Sequence, residues 1–416
     1  MLYFQRYIKR LQILHSSAKL DYLNSLISMK LKAITPSHFP WFDYARYSFS
    51  LGLKTDKGTY LSGHTASEFD PVSKRIVVHG NMTDQVKTAY SKIGTILEAS
   101  GMGFQDVVRI VEYVRPEGIE RYAEAAAVRA EVFGAHQPTV HTVPVNSLLR
   151  PEAYIEIEVT AAPVGRATDV GSNASPARDS AGLVYLPTVQ PVDSHGHIVG
   201  AGDIVAQTAY IFEKTGKMLA ALGLGFNNLV KTVDYLTPSG LSNYKGTGRI
   251  RKQHLGPLYP GAAGLIMSRL VHPEALIQSD FIASRDPLEC INPGWTRYEK
   301  LSYSPAVKAG RMLFMSGQGS LDPATEKVVH DNDVVAQAEY TYSNIVAVLK
   351  AAGAGPQNLV KTIEYVTPSA LANYKKVAQV REALLQTPYP ASTGLICQAL
   401  LRPEMMIEVD PFAILD

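Results

Sequence analysis

The fold is decided by LVKTIEYV at residues 359–366, a stretch that the chain repeats as LVKTVDYL at 229–236 and as VVRIVEYV at 107–114. The β-branched residues of all three stretches predict a buried strand. Residues on both sides of them recur at the same offsets, 122 and then 130 positions. The recurring residues include Gln85, Gln207 and Gln337; Tyr122, Tyr244 and Tyr374; Arg129, Arg251 and Arg381; and Glu152, Glu274 and Glu404. Because no insertion interrupts this spacing, each unit of roughly 120 residues is a domain-sized fold, and the chain carries three copies of it.

Each copy has the same predicted layout. An extended segment leads to a strand that ends at a Ser-Gly turn, as at residues 62–63 and 316–317, and an amphipathic helix such as 84–100 follows. After the repeated strand come a second helix and two further strands, the last of which alternates strictly at 155–159. This order predicts an α+β layer with two helices on one face of a sheet. We expect the copies to pack as the covalent counterpart of a homotrimer, with function in the clefts between them.

The repeats predict four segments: an N-terminal extension at 1–40 and three domains at 41–166, 167–288 and 289–416. The first 19 residues contain four basic residues, and no acidic residue precedes Asp21. This pattern is typical of a mitochondrial presequence. A disordered or surface-docked extension, or a start at Met29, explains it as well, and then the expected location is the cytoplasm.

Composition narrows the class of function. With 46% hydrophobic residues the chain can bury several cores, and it has no apolar run long enough to span a membrane. A net charge of +2 gives no general attraction to nucleic acid. Cys290 and Cys397 are too few for a disulfide scaffold or a cysteine-built metal site. No motif indicates a metal or other cofactor, so we expect a small-molecule substrate and a monomer of three fused domains.

Copy three carries four motifs in order: SGQ at 316–318, PASTG at 390–394, LLRPE at 400–404 and IEVD at 407–410. In these motifs the chain resembles the Rid/YjgF family, the reactive-intermediate deaminases also labelled endoribonuclease L-PSP. Three such units cover nearly all of residues 42–415. The resemblance implies a chorismate-mutase-like α+β fold, an intramolecular pseudo-trimer with the sheets around a central barrel, and sites in the clefts. The family's best-known chemistry is hydrolysis of enamines and imines, which releases ammonia.

The resemblance also implies site residues. The family's water-polarising glutamate corresponds to Glu156 and Glu408, but to Gln278 in copy two. The family's tyrosine corresponds to Tyr303 and, less closely, to Tyr47. Copy two lacks this tyrosine and has Pro-Thr at 187–188 in place of Ser-Gly, so it is the degenerate copy.

The family's substrate-clamping arginine is missing at all three corresponding positions, which hold Val140, Ala262 and Ser392. Since a guanidinium is the natural partner of a carboxylate, this absence argues against a simple 2-imino-acid deaminase and favours a larger, non-carboxylate substrate. The candidate substrate contacts in copy three are Ser392, Thr393, Gly317 and Gln318. Hydroxyls in such a turn often bond their own backbone instead.

The residues themselves support a role for the acids. Alternation at 155–159 places Glu156 and Glu158 on the sheet face opposite the helices. A partly buried carboxylate there would have a raised pKa and could act as a general base; alternatively, these acids pair with a lysine or arginine of another copy. His64, after the Ser-Gly turn, could shuttle protons near neutral pH or be an ordinary hydrogen-bonding residue.

Two classes of function remain open. The first is a hydrolase for an enamine, imine or related C–N bond, with Glu156, Glu408, Tyr303, Tyr47 and His64 as catalytic candidates. The second is a non-catalytic protein that binds a small molecule, which the missing arginine favours. RNA cleavage is a weaker third hypothesis, because the near-neutral charge and the lack of a basic stripe speak against it.

Overall fold

The computed structural model describes residues 31–163, 165–172 and 175–416. The expected presequence and the alternative start at Met29 lie outside these residues. Within them, no helix has both the length and the apolar character needed to cross a membrane.

Each copy builds one sheet around its repeated stretch, which we call the central strand. The central strands are Val107–Val114, Leu229–Leu236 and Leu359–Val366, and every residue in them is buried. One neighbour of each pairs antiparallel and is called the glutamate strand: Ile155–Ala161, Ile277–Ser284 and Ile407–Ile414. The other pairs parallel and is called the seam strand: Thr139–Pro144, Gly261–Ile266 and Ala391–Ile396.

The outer strands complete sheets of six, seven and eight strands. They are Lys32–Ala33, Gly52–Lys54 and Thr59–Leu61; Arg166–Thr168, Ala177–Ser180 and Leu183–Tyr185; and Leu288–Ile291, Ala306–Ala309, Met312–Met315 and Gln318–Gly319. Ser67–Asp70 and Arg75–Val78 form a separate hairpin. Since Lys32 and Ala33 pair with Gly52–Lys54, the first sheet begins before residue 41, within the predicted extension.

Helices cover one face of each sheet, as the amphipathic pattern predicts. The long helices are Met82–Ser100, Ile204–Ala221 and Val334–Ala351; the second helices are Tyr122–Phe133, Gly248–Leu255 and Val377–Leu384; the short ones are Pro116–Ile119, Pro238–Leu241 and Leu371–Tyr374. Single 3₁₀ turns lie at Tyr44–Arg46, Phe104–Asp106, Phe226–Asn228, Tyr244–Thr247, Thr296–Lys300, Pro356–Asn358 and Pro368–Ala370. The first long helix starts at a capping box between Asn81 and Asp84 and ends at Gly101, whose φ of 78° suits glycine.

The seam strands join the copies to one another. Ser50 of copy one bridges in parallel to Ala391 of copy three, and Ser304 of copy three bridges in the same way to Gly261 of copy two. Two short strands cross over as well: Ser147–Leu148 extends the sheet of copy three, and Ala399–Leu400 extends the sheet of copy two. These two junctions are therefore built alike.

The junction between copies one and two has a modified bond. At the other junctions the N–H of Ser392 or Ala262 donates to the hydroxyl of Ser62 or Ser316. A proline, residue 187, stands at that position in copy two. There, the N–H of Val140 donates to the Ser175 hydroxyl, 2.9 Å away. A different serine thus makes the equivalent bond between copies.

Buried charges from different copies pair with one another. Lys361 of copy three lies 2.9 Å from Glu158 of copy one, and Lys231 of copy two pairs with Asp410 of copy three. Asp280 of copy two lies 3.0 Å from His141 of copy one. The alternative interpretation of the alternating acids, an ion pair between copies, is therefore correct for Glu158.

Candidate functional site

Two buried glutamates have no partner. Glu156 and Glu408 lie opposite Tyr113 and Tyr365 in their sheets, and each is only 7% exposed. Neither carboxylate makes a hydrogen bond or an ion pair with any residue that the structure describes. Burial raises the pKa of both carboxyls to about 8, and a neighbouring acid, Glu158 or Asp410, adds to the effect. These are the properties of a functional acid or base.

The Ser-Gly turns bring backbone against these carboxylates. A Cβ placed on Gly63 would overlap Oε1 of Glu156, and one on Gly317 would overlap Oε1 of Glu408. Glycine is required where backbone passes this close to another group. The serine of each turn makes the bond between copies and the glycine gives room to the acid. This explains why the two residues occur together.

The junction of copies one and three is called the first cleft and contains Glu156, Gly63 and His64. The Thr393 hydroxyl there accepts from the N–H of Gly63 at 3.0 Å and donates to Glu158 at 2.9 Å. Lys361 also donates to it, at 2.9 Å. Since these bonds are all made within the protein, Thr393 has a structural role, and its expected role as a substrate contact stays a prediction. Ser392 is half-buried, with its hydroxyl 3.3 Å from that of Thr362.

His64 does not titrate near neutral pH. Its ring is 3% exposed and lies 6.5 Å from the ring of Phe39, centroid to centroid, and its Nε2 has no hydrogen-bond partner. Burial, reinforced by the charges of Lys92 and Lys361, lowers its pKa to about 3. The imidazole is therefore neutral at neutral pH, and a role for His64 in catalysis stays a prediction.

Lys92 is a buried cation close to Glu156, and sequence reasoning missed it. Burial lowers its pKa to about 7. Its Nζ donates to the carbonyls of Thr65 and Ser67. Lys214 and Asn344 make equivalent bonds to backbone carbonyls in the other copies. Because a neutral residue, Asn344, makes the equivalent hydrogen bonds in copy three, we assign a structural role to Lys92.

The tyrosine equivalence between copies needs a correction. Ser50 and Ser304 occupy matching positions, since each bridges in parallel to a seam strand of its neighbour. This register pairs Tyr303 with Phe49, two residues beyond Tyr47. Tyr47 is 41% exposed and stacks on Phe49, with ring centroids 5.5 Å apart. The first cleft thus has a phenyl ring where copy three has a tyrosine, and the equivalence of Tyr47 with Tyr303 is wrong.

The junction of copies two and three is called the second cleft and has a different lining. Tyr303 meets Tyr298 edge to face, with centroids 5.6 Å apart, and Tyr298 stacks on Trp295. The guanidinium of Arg297 lies 5.0 Å from the Tyr298 ring. Burial raises the pKa of Tyr298 to about 12, opposed by Arg297 and by a hydrogen bond with Gln318.

The charges of Arg297, Arg402 and Glu408 all act on the hydroxyl of Tyr303. Burial raises the pKa of Tyr303, the charges of Arg297 and Arg402 oppose the increase, and Glu408 adds to it. Sequence reasoning missed Tyr298 and Arg297. The sequence signal that could have revealed them is the Trp-x-x-Tyr pattern at 41–44, which recurs at 295–298. Its distance to Ser50 in copy one equals its distance to Ser304 in copy three.

Gly317 and Gln318 also serve the structure of the second cleft. The Gly317 N–H donates to the carbonyl of Ala262 at 2.9 Å, and Gln318 Nε2 donates to the carbonyl of Ser316 at 3.0 Å. The side chain of Gln318 is buried beside Tyr298. Both residues thus shape the cleft around Glu408.

The junction of copies one and two lacks a free acid at the corresponding position. The amide of Gln278 donates to the carbonyl of Thr142 at 2.9 Å, and the Thr188 hydroxyl is 2.5 Å from Asp280. A cavity of about 520 Å³ lies beside this junction, between Phe133 and Val140 of copy one and Pro176 of copy two. The Gln278 amide thus bonds copy two to copy one, whereas the Thr188–Asp280 bond lies within copy two.

The other repeated acids are structural, as their recurrence predicts. Each pairs with the repeated arginine and a tyrosine hydroxyl: Glu112 with Arg129 and Tyr122, Asp234 with Arg251 and Tyr244, and Glu364 with Arg381 and Tyr374. Cys397 donates to the carbonyl of Val366, and burial raises its pKa to about 12, so it is not a thiolate nucleophile. In the described part of the chain, no three His, Cys, Asp or Glu residues are placed to hold a metal ion.

Comparison with known proteins gives consistent matches. The family model described as "Endoribonuclease L-PSP" matches residues 43–163 and 298–415. "RutC family protein y4sK" of Sinorhizobium fredii is 39% identical over 98 residues, 24% of this chain and 75% of that protein. "2-iminobutanoate/2-iminopropanoate deaminase" of Mus musculus is 31% identical over 112 residues, 27% of this chain and 80% of that protein. A crystal structure of chorismatase matches with a TM-score of 0.51 and 17% identity over 74% of this chain and 93% of that one, a likeness of fold.

Proposed function

Because the chain belongs to the endoribonuclease L-PSP family, we propose that it hydrolyses a C–N bond of a small enamine or imine in the clefts between its copies. The observation that carries this proposal is the pair of buried, unpartnered carboxyls of Glu156 and Glu408, each with a pKa of about 8. The named activity of the mouse relative supports the reaction class. The reaction consumes water and releases a carbonyl compound and ammonia.

The chemistry follows from the raised pKa. At neutral pH a carboxyl with a pKa of about 8 is mostly protonated, so it donates a proton to the imine nitrogen or the enamine carbon. Protonation makes the adjacent carbon open to attack by water. The carboxylate then takes a proton from the adduct, and ammonia leaves. Glu408 in the second cleft and Glu156 in the first are the proposed acid–base groups.

We further propose that the domains at 41–166, 167–288 and 289–416 form a pseudo-trimer within one chain. Support comes from the matching bridges of Ser50 to Ala391 and of Ser304 to Gly261. The bond from the N–H of Val140 to the Ser175 hydroxyl corresponds to the bonds of Ser392 to Ser62 and of Ala262 to Ser316, and supports a third, altered junction. Since Gln278 stands where the other copies have glutamate, we assign no hydrolysis to that junction.

The test measures imine hydrolysis directly. An amine oxidase generates a neutral imine in the assay, an amino-acid oxidase generates a 2-imino acid, and the rate of imine loss is compared with and without the protein. We expect the wild type to accelerate at least one reaction, with a rate that falls above about pH 8 as the acid loses its proton. The double variant Glu156→Gln, Glu408→Gln should be inactive.

Glu152→Gln, which changes an exposed glutamate, serves as the control and should keep full activity. If the double variant is as active as the wild type, the acid–base assignment is wrong. A wild type that binds imine analogues without accelerating their hydrolysis would instead favour a non-catalytic binding protein. That second function is favoured by the absence of arginine at Val140, Ala262 and Ser392.

A further inference from the structure

Arg297 is a half-buried cation without a counter-ion. Its Nε is shielded from solvent and has no hydrogen-bond partner. Neither Arg297 nor Arg402 forms an ion pair with a carboxylate of the described residues. The repeated Arg129, Arg251 and Arg381, in contrast, all have acidic partners. A positive charge left free beside a cleft is available to a ligand.

The surroundings of Arg297 hold it in place. Its guanidinium lies over the ring of Tyr298, which stacks on Trp295 with centroids 6.0 Å apart. Tyr303 meets the other side of this aromatic group and hydrogen-bonds with Arg297. Because Tyr298 is buried and packed, the side chain of Arg297 is oriented before any ligand arrives.

The first cleft provides an internal comparison. The matched serines and the Trp-x-x-Tyr pattern place Asp43 of copy one at the position of Arg297. Asp43 carries the opposite charge and is paired with Arg46 at 2.7 Å. Phe49 replaces Tyr303, so the first cleft also lacks that hydroxyl. Each cleft thus has its own buried glutamate, but the position of Arg297 in the second cleft is occupied by the acidic Asp43 in the first.

We propose that the second cleft takes substrates with a carboxylate, and that Arg297, with Arg402 beside it, is the group that receives it. This inference rests on the proposed function and names the substrate class of one of its two clefts. A guanidinium matches a carboxylate with two parallel hydrogen bonds. In the second cleft the guanidinium comes from the segment between the first two strands of copy three's sheet, Leu288–Ile291 and Ala306–Ala309, and not from the seam strand. The reaction there converts a 2-imino acid and water into a 2-oxo acid and ammonia.

This proposal revises the expectation drawn from Val140, Ala262 and Ser392. Those residues leave the seam strands without a guanidinium, and that remains true. In the second cleft a different element supplies one. The first cleft keeps an acidic group at the same place and is expected to accept neutral substrates.

The test is direct binding of 2-oxobutanoate, a stable carboxylate-bearing product analogue, measured by calorimetry. We expect one site per wild-type chain, and a loss of affinity of roughly ten- to a hundredfold in Arg297→Met. Arg297→Lys should lose less, because it keeps the charge but not the paired geometry. Arg46→Met is the matched control, an arginine of the corresponding turn in copy one, and should bind like the wild type. Thermal unfolding of each variant checks that the fold is retained.

A second probe separates charge recognition from damage to the cleft. Butanone has nearly the same shape without the carboxylate, and Arg297→Met should leave its binding unchanged. Equal losses for both probes, or wild-type binding that does not depend on Arg297, would overturn the anion site. Hydrolysis of a 2-imino acid that survives Arg297→Met unchanged would also overturn it, while leaving the proposed function in place. If no imine is hydrolysed but binding depends on Arg297, the anion site stands and the proposed function fails.

Discussion

Two glutamates that are neighbours on one strand face show how far residue-level reasoning goes. Alternation correctly places Glu156 and Glu158 on the same side of the sheet. It cannot say that Glu158 pairs with Lys361 while Glu156 forms no ion pair with a described residue, because Lys361 belongs to another copy. The same limit applies to His64, whose neutral state depends on burial and on two distant lysines.

The raised pKa of Glu408 predicts how stability depends on pH. Its pKa is about 8 in the folded protein and about 4.5 when unfolded. Below pH 4.5 both states hold the proton; as pH rises toward 8 the unfolded state releases it first, so folding stability falls. Glu408→Gln should remove this loss and be more stable than the wild type at pH 8, by up to a few kcal/mol.

Urea unfolding at pH 5 and pH 8 measures this difference. Glu156→Gln should behave in the same way, since burial raises the pKa of Glu156 similarly. Glu152→Gln alters an exposed carboxyl and should follow the wild type at both values. If Glu408→Gln loses as much stability between the two pH values as the wild type does, burial does not disfavour the charged form of the Glu408 carboxyl.

At the scale of elements, the regular structure could be predicted and the irregular segments could not. The β-branched central strands and the amphipathic helices have periodic patterns, and these elements are present. The turn around Arg297 has no period, and its place in the second cleft is set by the stacking of Trp295 on Tyr298. The two-residue error at Tyr47 arises in an irregular segment as well: the Tyr-Ser match there is short, and the bridges of Ser50 and Ser304 set a different register.

The Ser-Gly turn gives a prediction at this scale. In Gly317→Ala the new methyl group would overlap the Glu408 carboxylate and force it to move. We expect hydrolysis in the second cleft to fall roughly tenfold or more, because small displacements of reacting groups are costly. The rate of hydrolysis is measured for Gly317→Ala in the wild-type background and in the Glu156→Gln background, because Glu156→Gln removes the activity of the first cleft.

Gly248→Ala is the control for this change. Gly248 lies in the helix Gly248–Leu255 with open space around its Cβ position, so alanine should be tolerated or stabilising. A Gly317→Ala protein that keeps its full rate in the Glu156→Gln background would show that the position of the Glu408 carboxylate does not matter for the reaction.

At the scale of the whole molecule, the repeats themselves predicted three copies and clefts between them. The sequence could not predict how unequal the junctions are, because each depends on residues from two copies. Ser50, next to Phe49, bridges to the seam strand of copy three, and Ser304, next to Tyr303, bridges to the seam strand of copy two. At the junction of copies one and two, Ser175 supplies the hydroxyl that a different serine supplies elsewhere. Covalent fusion permits such divergence, since each position exists once per chain and not three times.

The measurement that tests the central claim most directly is the rate of neutral-imine and of 2-imino-acid hydrolysis in three single variants. Glu156→Gln should remove the neutral-imine activity of the first cleft, and Glu408→Gln should remove the 2-imino-acid activity of the second, because the clefts are separate. Gln278→Met, at the junction without a free acid, should keep both rates. A loss in Gln278→Met as large as in the glutamate variants would contradict the account, as would loss of both activities from either single glutamate change.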